Sequence, residues 1–196
     1  MKTFVTLTAL ALASLAPSAA LAQAAPAAVI VVVDAGRVYR ECTACRTAQT
    51  QLQTRLTALT TRQQTLTTQL RTEGEPIEAA IRALNGAAPD AALRTRVTAF
   101  QARQDQANKE LAQSQQNLQS IQANVVRQIN ARFDPIVTQL MTARGANIAL
   151  DVSATLAHAQ SVNITAAALA ALNSALPSVS LTPLPANAQA PRPTGR

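Results

Sequence analysis

Large side chains are scarce in this sequence. Tryptophan is absent, there is one tyrosine and there are three phenylalanines, so aromatics make up 2% of the 196 residues. A layered globular core draws much of its buried area from such rings, and their scarcity argues against a compact globule. Histidine occurs once, as His158, and cysteine twice, as Cys42 and Cys45. A zinc site needs about four ligands, which this inventory does not supply. The five glycines are scattered, so no Gly-rich phosphate loop is present, and no nucleophile elbow can be found. The chain therefore reads as a non-enzyme with no cofactor. Lysine appears only at positions 2 and 109, and the net charge of +7 is carried almost wholly by arginine. The excess is spread along the chain, which favours acidic or anionic partners and does not point to nucleic acid. After the first residues, no apolar run approaches the roughly 20 residues a membrane-spanning helix needs.

What is present begins with an export signal. Lys2 precedes an apolar Ala/Leu-rich run from Phe4 to about Ala16, Pro17 and Ser18 break it, and Ala20-Leu21-Ala22 forms a small-x-small site before Gln23. That layout predicts a signal peptide over residues 1–22, with the mature chain exported to the periplasm. The hydrophobic content of 48% is dominated by alanine. Alanine with leucine, glutamine and arginine is helix-forming material, suited to long packed helices.

Residues 28–33 form a β-branched run that ends at Asp34, bounded by Pro26 and Gly36. It reads as a buried strand. From Arg37 the period changes. Leu52, Leu56, Leu59, Gln63, Leu66 and Leu70 alternate spacings of four and three, and so do Leu93, Val97, Phe100, Gln104, Ala107, Leu111, Ser114, Leu118, Ile121 and Val125. That is a coiled-coil seam. Between the two runs, Asn85-Gly86 and Pro89-Asp90 mark a tight reversal, and a short connection makes the helices antiparallel neighbours. Folding back near residue 87 sets Leu56 against Leu118 and Leu52 against Ile121, while Leu66 meets Ala107 and Leu59 meets Ser114. The seam is therefore unevenly filled. Gly74 and Pro76 predict a break or kink in the first arm, and Pro135 a bend in the second.

The helix should stop at Arg144-Gly145. A second strand follows over residues 148–152, a third is suggested at 156–160, and Thr165 is a candidate N-cap for an Ala-rich helix to about Ala175. The expected organisation is a strand-bearing body from 23–36 plus 144–176, a helical hairpin over 37–143 with its tip near 85–90, and a disordered Pro-rich tail over 177–196. The fold class is α+β, mostly α: a long antiparallel coiled-coil hairpin on a small β body. So few strands cannot form a stable sheet alone. Pairing through Val29, Val31, Val33, Ile148, Leu150 and Val152 with other copies would complete it, predicting a homo-oligomer.

Local constellations leave alternatives open. Cys42 and Cys45 stand three apart at a helix start. They fit a structural disulfide, free or inter-chain thiols, or a redox or metal role. Asp34 and Asp151 each end a strand, which turn chemistry explains. His158 reads as a packed or surface side chain. Arg55, Arg62, Arg71, Arg94, Arg96 and Arg103 lie along the arms, either as a solvated face or as contacts to a client or to an anionic membrane surface.

The order of these parts resembles the Skp/OmpH family of periplasmic chaperones. The resemblance covers roughly Val29 to Leu176 and rests on Val33-Asp34 leading into Arg37-Val38-Tyr39, on the hairpin, on Ile148-Ala149-Leu150-Asp151-Val152, and on Asn163-Ile164-Thr165. It implies a trimer with a β body built from three chains and helical tentacles around a cavity. It also implies ATP-independent holding of unfolded outer-membrane proteins. The chain departs from that pattern in its Pro-rich tail, its paired cysteines and its Lys-poor surface. The competing reading is a structural coiled-coil scaffold or spacer of the envelope.

Overall fold

The structure is a computed structural model that describes residues 26–184. The expected signal peptide lies outside the described residues, as does the end of the expected tail. Strand β1 (Ile30–Val33) leads into the short helix α1 (Ala35–Glu41), then α2 (Thr43–Ala83), α3 (Ala91–Ala143), strand β2 (Ile148–Asp151) and α4 (Thr165–Ala175). At 1.5 Å per residue, α2 is about 60 Å long and α3 about 80 Å.

β1 and β2 pair in parallel, Ile30 opposite Ile148 and Val33 opposite Asp151. Parallel neighbours require a crossover, and here the whole hairpin is that crossover. The sheet is extended on the β1 side by a bridge from Val32 to Asn163, with the Ile164 amide donating to the Val32 carbonyl at 2.8 Å. Among the described residues, β2 is paired along one edge only. Asn147 fastens the approach to β1: its side chain accepts from the Val29 amide and donates to the Ala27 carbonyl, each at 2.8 Å. Val29 itself precedes β1, but its carbonyl accepts from the amides of Asn147 and Ile148.

The apolar core sits at the base. Val31, Val33 and Val38 pack with Ile121, Val125, Ile129, Phe133 and Ile136 of α3, and with Ile164, Ala168 and Leu172 around α4. The Tyr39 and Phe133 rings lie 5.4 Å apart at 59°, a tilted aromatic pair. Burial, with Asp134 and Asp151 nearby, pushes the Tyr39 phenol upward, and its hydroxyl lies 3.0 Å from Asn130 Oδ1.

The turn follows its residues. Asn85 and Gly86 take positive φ of 45° and 90°, the region open to Gly and tolerated by Asn. Asp90 caps α3 by accepting from the Leu93 amide at 2.7 Å. Gly145, at φ 63°, closes α3.

Several expectations are corrected. The first arm is not split into a separate helix: α2 continues as one helix through Pro76, as α3 does through Pro135. The carbonyls that lose a partner, on Thr72 and Ala131, belong to exposed residues, where solvent can satisfy them. A helix break does occur, earlier, at Cys42 between α1 and α2. Val152 is not in the strand. The Asp151 carboxylate accepts from the Ser153 amide at 2.8 Å and the Ser153 hydroxyl at 2.6 Å, turning Val152–Ala154 into a 3-10 helix. Residues 156–159 carry no strand, and Leu156 is fully exposed. Thr165 is not the cap of α4. It is the first helical residue, and its hydroxyl accepts instead from the Asp34 amide at 2.9 Å. The expected tail from residue 177 is ordered as far as 184: Val179 and Leu181 pack on the base core and Leu184 is buried.

Candidate functional site

Among the described residues, no three His, Cys, Asp or Glu side chains lie close enough to hold a metal ion, and no helix is long and apolar enough to cross a membrane. His158 meets the Asn163 side-chain amide at 3.0 Å. The Asp34 carboxylate caps α1 by accepting from the Arg37 amide. Asp151 also accepts from the Ala35 amide at 3.1 Å. The two hydrogen bonds from Ser153 hold its carboxyl below the usual Asp range, against an upward push from burial, and the bond from Ala35 adds a lesser downward pull. These groups organise turns.

The hairpin is the remaining candidate. Its seam is thin. Of the seam leucines, Leu66 is buried; Leu52, Leu59, Leu111 and Leu118 are half-buried, and Leu56 remains 44% exposed. Ile121, at the foot of the seam, is buried and joins the base core. Where large residues meet small ones the helices leave a cleft of about 340 Å³, lined by Arg55, Ala58, Leu59, Arg62, Ser114, Asn117, Leu118 and Ile121.

Polar pairs bridge the arms where apolar contact is sparse. Arg62 grips Glu110 with two bonds, of 2.6 and 3.0 Å. The bond from Arg62 holds the Glu110 carboxyl below its ordinary range and raises the guanidinium in turn. Nearer the tip, Arg103 reaches Glu73 at 2.6 Å. Beside it Gly74 lies under Phe100, so closely that a Cβ there would stand 3.0 Å from the ring tip. The other candidate arginines act differently. Arg71 lies 4.0 Å from Glu75 on its own helix, Arg94 donates to the Pro89 carbonyl at 2.6 Å, and Arg55 and Arg96 are exposed.

Between residues 47 and 70, α2 carries only two charged residues, Arg55 and Arg62. The hydroxyls of Thr47, Thr50, Thr54, Thr60, Thr65, Thr67 and Thr72 each bond to the carbonyl four residues earlier. A threonine satisfied in this way offers its methyl group to its surroundings. At the root of the hairpin, a mostly apolar hollow of about 260 Å³ lies among Tyr39, Cys45, Leu52, Val125, Val126 and Ile129.

Cys42 and Cys45 are joined in one intrachain disulfide. Cys42 is also the N-cap of α2, its sulfur accepting from the Cys45 amide at 3.1 Å. Both are buried, at 0% and 2% exposure, which limits the access of a solvent thiol in the folded chain.

One feature went unread in the sequence. Beyond α4 the chain lies against α3, held by Ser120, Asn124 and Gln128. Its signal was the alternation in Val179-Ser180-Leu181-Thr182, set within a Pro/Ala/Ser-rich stretch.

Among curated proteins none matches this chain. Among solved structures, a candidate OmpH-like outer membrane chaperone from Caulobacter crescentus shares the fold. The TM-score is 0.66 at 14% identity, over 83% of this chain and 94% of that one. The family described as outer membrane protein (OmpH-like) matches residues 29–172. That span runs from the residue before β1 into α4 and takes in the base and both arms, so the chain belongs to the OmpH-like family.

Proposed function

We propose that this protein is a periplasmic holding chaperone that binds unfolded outer-membrane proteins without ATP and prevents their aggregation. The observation that carries the reading is the pair of long helices, rooted in one packed base and joined so sparsely that most of their surface stays free. Unfolded barrel strands expose alternating apolar residues and unpaired backbone, and so aggregate. Arms with uncharged threonine faces, apolar hollows and dispersed arginines offer such chains weak contacts at many points. The positive excess speeds capture of acidic clients. The family relationship and the Caulobacter chaperone of the same fold point the same way.

The reading includes a homo-oligomer, as a trimer in line with the family resemblance. The one-sided pairing of β2 supports it, as does the exposure of Ile30 and Ile148 at 39% and 38%. Export rests on the N-terminal sequence. A rigid spacer would call for a filled seam, and the cleft beside Leu59 and Leu118 weighs against that alternative. The test is light scattering of an unfolded outer-membrane barrel protein diluted from urea. Stoichiometric mature protein without nucleotide suppresses the scatter if the reading holds; unchanged scatter refutes it.

A further inference from the structure

Ser120, Asn124 and Gln128 stand one turn apart on α3 and engage every second residue of 180–184, entirely through its backbone. Gln128 accepts from the Ser180 amide at 2.8 Å and donates to the Ser180 carbonyl at 2.9 Å, the two-point pairing that a neighbouring strand supplies. Asn124 donates to the Thr182 carbonyl at 2.9 Å, and the Ser120 hydroxyl accepts from the Leu184 amide at 2.8 Å. The spacings agree. Four helical residues rise about 6 Å, and two extended residues cover about 6.6 Å, so the register survives two steps and three contacts.

The row is built into the fold. Ser120 and Asn124 are only 6% and 7% exposed, and buried polar groups are costly to leave without partners. Arg127 lies 3.3 Å from Asn124 Oδ1, which leaves the amide nitrogen for a carbonyl. Residues 179–182 alternate: Val179 and Leu181 lean on the base core, while Ser180 and Thr182 face outward with their hydroxyls 2.9 Å apart; Pro183 and the buried Leu184 end the pattern. Alternating apolar and polar residues are the signature of a barrel-wall strand.

We propose that this row is a backbone-reading site for extended polypeptide of alternating polarity, and that residues 178–184 are a built-in occupant displaced by a strand of the unfolded barrel client. The proposal rests on the holding function above and gives it a defined site. Reading backbone instead of side chains makes the site tolerant of client sequence.

Amide exchange in the full mature chain tests it. The Ser180 and Leu184 amides are protected in the free protein. Adding an equimolar unfolded outer-membrane barrel protein speeds their exchange at least tenfold, while the Leu176 amide, bonded within the end of α4, does not change. A chain lacking 178–196 binds that client at least threefold tighter, and Gln128→Ala in the shortened chain reverses the gain. Client binding with unchanged exchange at Ser180 and Leu184 overturns the proposal and leaves the holding function standing. Absence of client binding by the full chain overturns both. If the shortened chain does not fold, the exchange result decides alone.

Discussion

Truncating one leucine at the base and one on the arm should have sharply different consequences. Leu172 is 0% exposed and sits in the base core, whereas Leu56 on the seam is 44% exposed. Replacing a fully buried leucine with alanine loses its transfer free energy and leaves a cavity, about 2–5 kcal/mol in total. Leu56 leaves no closed cavity, because water already reaches it; its loss is about 1 kcal/mol or less. With a urea slope of about 2 kcal/mol per molar, Leu172→Ala lowers the denaturation midpoint by about 1–2.5 M, and Leu56→Ala by no more than about 0.5 M. Stability linked to subunit association depends on concentration, so both variants are compared with the parent at one protein concentration, by far-UV circular dichroism. Equal shifts, or a larger one for Leu56→Ala, would refute the claim that the base holds the fold and the arms are only lightly joined.

Other outcomes follow from particular contacts. Reducing the Cys42–Cys45 disulfide, which spans a sequence separation of 3, costs about 2 kcal/mol by loop-closure entropy, read from urea curves with and without reductant. Gly74→Ala gains up to ~1 kcal/mol of helix propensity, but its Cβ meets Phe100. The gain should therefore be larger in a Phe100→Ala background, which a double-mutant cycle measures. Asp151 has a depressed folded pKa, so its contribution is present above the unfolded Asp value and is lost as pH falls through the folded one. The stability gap between the parent and Asp151→Asn is thus widest at neutral pH and closes in acid. The Arg62–Glu110 pair is solvent-exposed, so the effect of Arg62→Ala on stability fades in high salt.

The hairpin was legible because one physical requirement, burial of a helical stripe, leaves a four-three period from Leu52 to Leu70 and again from Leu93 to Val125. Asn85-Gly86 marked its reversal because few residues accept positive φ. Pro76 misled in one respect: proline reads as the end of a helix, yet α2 continues through it, because the lost bond falls on an exposed stretch open to solvent. The end of β2 was misjudged at Val152, an apolar residue of strand type that the neighbouring Asp151 carboxylate draws into a turn. The ordered segment to Leu184 was hidden because its hydrogen bonds come from Ser120, Asn124 and Gln128 to backbone atoms. The only hydropathy signal was the four-residue alternation in Val179-Ser180-Leu181-Thr182, set within a Pro/Ala/Ser-rich stretch. Of the candidate arginines, sequence could place them along the arms but could not tell that Arg62 and Arg103 clasp the opposite helix.

Native mass spectrometry of the mature protein, alone and mixed with one unfolded outer-membrane barrel polypeptide, addresses the central claim most directly. The account predicts a three-chain species that gains a single client without nucleotide. A single-chain species that takes up no client would contradict it.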